Sequence, residues 1–135
     1  MKKTLIIFLI ICIAVMPLLM GCGDSTPVET FVLSPQQLTD QNSIEKAAKT
    51  EQNELSAGSN IFANVSLIES PKGMKYTINW LLNGQQVKTE DKATATEPRC
   101  ILTYTLEKEK LHAGDLKVQI LYKDTVLAEK DVTVK

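Results

Sequence analysis

Few side chains in this 135-residue sequence are placed to do covalent or acid–base chemistry: the cysteines Cys12, Cys22 and Cys100, the single histidine His112, and the aspartates Asp115, Asp124 and Asp131. His112 stands in Leu111-His112-Ala113-Gly114, with no cysteine, serine or carboxylate at a spacing that suggests a triad. A tetrahedral zinc site needs three or four protein ligands, so one histidine and a lone downstream cysteine do not make one. The three aspartates are too scattered to form a calcium loop, whose oxygen donors converge within one short stretch. No glycine-rich phosphate loop is present. These residues imply no catalytic set, no metal and no bound cofactor. The thiol with a distinctive setting is Cys22, at the end of Leu19-Met20-Gly21-Cys22.

The element that must position that thiol precedes it. Lys2 and Lys3 form a basic start, and Leu5 to Met20 is a run of sixteen uncharged, mostly apolar residues broken late by Pro17. A bilayer-spanning helix needs about 20 apolar residues, and Pro17 would kink such a span. The pattern predicts a cleaved signal peptide over residues 1–21 rather than a retained anchor helix. With Cys12 inside that leader and Cys22 at the new N-terminus, Cys100 is the one cysteine of the folded part, and an intrachain disulfide there is excluded.

Leu19-Met20-Gly21-Cys22 resembles the lipobox of bacterial lipoproteins, with Met20 standing where a smaller residue is usual. The resemblance implies a thioether-linked diacylglycerol on Cys22, cleavage before it by signal peptidase II, and no cofactor beyond that covalent lipid. One acyl chain holds a protein to a membrane only marginally, whereas two anchor it stably. The expected location is therefore the cell envelope, with the domain outside the cytoplasmic membrane and tethered to its outer leaflet, or on an outer membrane where one exists.

With Lys2 and Lys3 in the leader, thirteen basic and sixteen acidic residues follow it, a net charge of −3. A nucleic-acid binder usually carries a basic stripe, so no nucleic-acid partner is expected. Residues 22–27 read as the lipidated N-terminus and a flexible tether rich in Gly, Ser and Pro. Val28 to Leu33 can form a strand that Ser34-Pro35 ends. Residues 36–59 read equally as a short helix over 43–55 or as an irregular excursion. For the helix speak Asn42 as a cap with Glu45 three residues on, and Ile44, Ala47, Ala48 and Leu55 at helical spacing.

Beyond Ser59 the period becomes two. Ile61, Ala63, Val65 and Leu67 share one face, with Asn64 and Ser66 on a solvent face. Tyr76, Ile78, Trp80 and Leu82 alternate next, and Asn83-Gly84 is the strongest short hairpin signal, because a type I′ turn needs positive φ at both central residues. Gln85 to Thr89 returns as a short edge strand, and the charged stretch Glu90 to Glu97 reads as a solvent loop ended by Pro98. Cys100, Leu102, Tyr104 and Leu106 alternate, then Leu116, Val118, Ile120 and Tyr122, and Val126 to Val134 closes the chain. The expected core contains Trp80, Ile78, Leu82, Leu102, Tyr104, Leu116, Val118 and Ile120, with Cys100 filling space as a small apolar group.

Short strands separated by turn residues over 28–135 predict an all-β fold, an antiparallel β-sandwich of about seven strands. The region resembles the immunoglobulin-like accessory domains of bacterial envelope lipoproteins in Tyr76-Thr77-Ile78-Asn79-Trp80-Leu81-Leu82-Asn83-Gly84 and in Leu111-His112-Ala113-Gly114-Asp115-Leu116-Lys117-Val118. It departs from them in having Leu116 where a tyrosine corner would place Tyr, and no disulfide beside Trp80. The functional expectation is a membrane-anchored, non-enzymatic binding or structural module. Membrane lipid is one partner through Cys22, and an envelope protein or glycan is the other, docking on the 90–97 loop, the Asn83-Gly84 hairpin or a sheet edge. The alternative is a small enzyme or protease-inhibitor-like protein at the cell surface, with His112 in a polar cluster.

Overall fold

The computed structural model describes residues 27–135. The expected signal peptide, Leu19-Met20-Gly21-Cys22 and the expected tether through residue 26 lie outside the described residues. Within them, alternating apolar residues make eight strands: β1 (Val28–Ser34), β2 (Glu54–Leu55), β3 (Ile61–Leu67), β4 (Lys75–Leu82), β5 (Gln85–Ala93), β6 (Cys100–Leu106), β7 (Gly114–Tyr122) and β8 (Thr125–Val134). One helix, α1 (Gln41–Lys49), and a single 3-10 turn at Lys108–Lys110 interrupt them.

The strands form two sheets, ordered β1-β3-β6 and β2-β8-β7-β4-β5. Every pairing is antiparallel except the two-residue β2 against β8. The chain passes between sheets after β1, β2, β3, β5 and β6, and β3 pairs with β6 and β4 with β7 in Greek-key fashion. This is an immunoglobulin-like β-sandwich. The inner faces meet in one core where Trp80, Ile78, Leu116, Val118, Ile120 and Tyr104 are fully buried, and Leu82 and Leu102 are nearly so. Cys100 lies at the border of that core.

Two-residue turns set the hairpin registers. Asn83 and Gly84 both have positive φ, at 53° and 83°, and bring Leu82 opposite Gln85. Asn83 also ties this hairpin to the next corner: its Oδ1 accepts from Asp115 N–H at 3.0 Å, in the space that a Cβ on Gly114 would fill.

Three expectations need correction. The charged residues Glu90 to Ala93 do not form a loop but continue β5, in register with Lys75 to Ile78. They look like loop residues because β5 is an edge strand, where inward-pointing charges are tolerated and discourage pairing with another sheet. The helix starts from Asp40, not Asn42: its carboxylate accepts from Ser43 N–H at 2.8 Å and Ser43 Oγ–H at 2.7 Å, which holds its pKa below the usual carboxylate range. Glu45 does not close a capping box but accepts from Gln41 Nε2 at 2.9 Å. The helix stops at Lys49, short of 55, and Leu55 pairs with Val134 in β2.

Finally, β3 is not half-buried. Asn64 and Ser66 on its outer face are 0% and 2% exposed, because α1 and the segment leading to it lie over the β1-β3-β6 sheet. Ile44 is the buried residue of α1, and Val32 is buried on the same outer side of the sheet. Buried polar groups need partners. Asn64 Oδ1 accepts from Leu38 N–H at 2.9 Å, its Nδ2 donates to the Gln36 carbonyl at 3.4 Å, and Ser66 Oγ donates to Gln41 Oε1 at 2.5 Å. Two side chains of β3 thus pin the 35–41 segment to the sheet.

Tyr104 joins the two sheets. Its hydroxyl, on β6, donates to the Tyr76 carbonyl on β4 at 2.7 Å, and burial pushes its pKa up. Tyr104→Phe should cost about 1 kcal/mol, the net value of one such bond, read as a lower denaturant midpoint at neutral pH. Above pH 10 the unfolded chain ionises this phenol while the folded chain keeps it neutral. Stability of the wild type should therefore fall faster with rising pH than that of Tyr104→Phe. Parallel alkaline profiles would count against this role.

Candidate functional site

The strand registers give the sandwich two ends. At one end lie the start of β1, the 68–74 and 94–99 loops and the β7-β8 turn, joined by bonds such as Ser70 N–H to the Pro98 carbonyl at 3.1 Å. At the other end lie the 35–60 excursion, the Asn83-Gly84 hairpin and the 106–114 corner, where Lys108 N–H donates to Asn60 Oδ1 at 2.9 Å. A seven-residue strand separates the ends by about 20 Å.

The excursion borders a cleft of about 530 Å3 at the end opposite the start of β1. Its apolar wall comes from Val32, Leu33, Pro35, Leu38, Ala47, Leu55 and Ile61, and its polar groups from Ser34, Gln36, Thr50, Glu51, Gln52, Glu54, Ser56 and Ser59. That size and mixture suit a ligand site: apolar surface for affinity and a few polar groups for orientation. Glu51 fixes one wall. One carboxylate oxygen accepts from Leu33 N–H at 2.8 Å and the other from Lys130 Nζ at 2.5 Å, joining the excursion to β1 and β8. Segment 53–57 closes the other side. Thr133 N–H donates to the Asn53 carbonyl at 2.8 Å, and Lys135 N–H to the Leu55 carbonyl at 2.9 Å.

The sheet edges expected to receive partners are guarded. Lys88, on the inner side of β5, reaches across to the edge of β6, where Nζ donates to the Thr105 carbonyl at 2.5 Å and to Glu107 at 2.8 Å. This bond holds the pKa of Glu107 below its usual range. Lys92 Nζ sits 5.6 Å from the centre of the Tyr104 ring. Both lysines lay their aliphatic stems over the open side of the sandwich, and the ammonium of Lys88 is held by the Thr105 carbonyl and Glu107. The sheet edges are thus covered: lysine side chains of β5 reach β6, Glu51 caps β1, and β2 lies along part of β8.

His112 is exposed in the 106–114 corner and does not line the cleft. Asp115 and Asp131 border one shallower depression with Asn53, Val132 and Thr133, while Asp124 lies apart in the β7-β8 turn at the other end of the sandwich. Among the described residues no group of three or more His, Cys, Asp or Glu is placed to hold a metal ion, and no helix is long and apolar enough to cross a membrane. Cys100 is 8% exposed and unpaired with another cysteine. The cleft was missed in the sequence because its polar residues, scattered over 34–59, carry no motif. The one available signal was the length of that connection, since long loops in compact domains are commonly functional.

No family model and no curated protein matches this chain. Among solved structures it is similar to an immunoglobulin-like protein from Pseudomonas aeruginosa, at 17% identity and a TM-score of 0.49, covering 82% of this chain and 94% of that one. It is also similar to the CARDB domain of a Pyrococcus furiosus protein solved with two metal ions, at 12% identity and a TM-score of 0.43, covering 83% and 95%. A Pseudomonas fluorescens alkylpurine DNA glycosylase aligns at 10% identity and a TM-score of 0.49, covering 80% of this chain but 30% of the enzyme. Such values transfer no function. The immunoglobulin-like assignment rests on the strand order itself.

Proposed function

We propose that this protein is a lipoprotein of the cell envelope, held to the membrane by acylated Cys22 and presenting a non-enzymatic binding module on a short tether. The observation that carries the binding role is the cleft of about 530 Å3, built by an excursion that the sandwich does not need for its own closure. A connection from β1 to β3 could be much shorter, because the two strands are neighbours in one sheet. Ordering the extra residues costs conformational entropy, and Asn64, Ser66 and Glu51 supply the contacts that offset it.

The tether supports the same reading. Val28 lies at the end remote from the cleft, so a lipid at Cys22, six residues earlier, would not attach beside the cleft. Growth with an alkynyl fatty acid tests the anchor. Wild-type protein should take up label and fractionate with membranes, while Cys22→Ala should lose both the label and the membrane association. An unlabelled wild type, or equal label on the two proteins, would end the lipoprotein reading.

A further inference from the structure

We propose that Lys88 is an edge guard: by occupying the Thr105 carbonyl it keeps β6 from pairing with β6 of a second copy of this chain. This role depends on neither the lipid anchor nor the cleft. β6 ends the β1-β3-β6 sheet and pairs with β3 alone. In an antiparallel ladder alternate residues direct both N–H and C=O away from the neighbouring strand. Thr105 is such a residue, since Lys88 Nζ reaches its carbonyl from β5 of the other sheet at 2.5 Å. Ile101 and Thr103, two and four positions earlier in the alternation, therefore turn their main chains outward as well. Apart from a weak thiol contact of Cys100 with the Ile101 carbonyl at 3.8 Å, no hydrogen bond among the described residues reaches them from that side.

The guard is held in place from both sides. The Lys88 side chain is 16% exposed, and its ammonium meets Glu107 at 2.8 Å and Glu90 at 4.0 Å. Burying an ammonium is costly unless it is paired and hydrogen-bonded, so these carboxylates fix it at the edge. What it covers is a strand fit for pairing. Cys100–Leu106 has no charge and no proline, and it runs against β3 without a bulge, the composition that invites another chain to add a strand. Its own copy fits it. Centred on Thr103, an antiparallel copy brings outward residues opposite outward residues: Thr103 meets Thr103 and Ile101 meets Thr105, while Leu102 meets Tyr104 on the inner face. Threonine pairs are favourable across strands, and no like charges oppose one another within the segment. The contact is isologous, so it closes as a two-fold dimer. In that register the copy's Ile101 N–H needs the Thr105 carbonyl, the acceptor that Lys88 holds.

The test uses the full chain in excess detergent, with Thr103→Cys placing a thiol at the two-fold axis and copper phenanthroline as oxidant. Directly opposed residues of an antiparallel pair lie within disulfide reach. Lys88→Met keeps the apolar stem and removes the ammonium. Covalent dimer should then form at least about tenfold faster than with Lys88 present, the factor that one hydrogen bond to a charged group supplies. Lys88→Arg should stay near the slow rate. Glu107→Gln, which loosens the ammonium without touching the stem, should be intermediate. Chains without Thr103→Cys give the background from Cys12, Cys22 and Cys100, and Glu109→Cys, an exposed thiol outside β6, should cross-link at a rate that Lys88→Met does not change. Equal rates at Thr103→Cys with and without Lys88→Met, or the same acceleration at Glu109→Cys, would overturn the assignment. Should Lys88→Met unfold below the assay temperature, Glu107→Gln carries the comparison, and a rate equal to that of the chain with Glu107 intact rules the guard out.

Discussion

Trp80→Ala is expected to lower the unfolding free energy by about 3–5 kcal/mol, a large share of the stability of a domain this size. Trp80 is fully buried on β4 between the two sheets, opposite Val118 of β7 and Lys88 of β5 in the strand register. The loss combines the apolar surface returned to water with a cavity that the rigid sheets cannot close. Its indole N–H has no hydrogen-bond acceptor among the described residues, so packing alone is at stake. Trp80→Phe should accordingly recover much of the loss. Urea denaturation of the full chain measures both, with the midpoint falling and the slope unchanged. A midpoint for Trp80→Ala within error of the wild type would remove Trp80 from the centre of the core.

Asn64→Ala should have the second-largest effect, and a more local one. It removes the acceptor of Leu38 N–H and of Thr103 Oγ–H and the donor to the Gln36 carbonyl, at a net cost of about 1 kcal/mol for each bond lost. The 35–41 segment and α1 are then held by Ser66, Glu51 and the packing of Ile44. Amide exchange over 36–50 should accelerate well before exchange in β4 and β7, because the main core does not include Asn64. Unchanged exchange over 36–50 would show that Asn64 does not hold the excursion.

These two residues also mark how far the sequence could be read. Trp80 sits in Tyr76-Thr77-Ile78-Asn79-Trp80, where strict alternation places it on an apolar face without reference to the rest of the chain. Asn64 sits in an equally regular alternation that points to a solvent face, and it is buried. Alternation tells which residues share a face. It does not tell what covers that face, and here the cover comes from residues 35–49, folded back from β1. Glu90 to Ala93 misled in the opposite direction, because charge on an edge strand resembles charge in a loop.

The sequence by itself determined the features that arise from neighbouring residues: the strands from their period of two, the hairpin from Asn83-Gly84, and the expectation of an anchor from Leu19-Met20-Gly21-Cys22. Only the tertiary structure decided the candidate site. Glu51 meets Leu33 across 18 positions and Lys130 across 79, and Leu38 meets Asn64 across 26. The cleft exists because those distant groups satisfy one another, and no local pattern of residue types records which acceptor a buried N–H will find once the chain has closed.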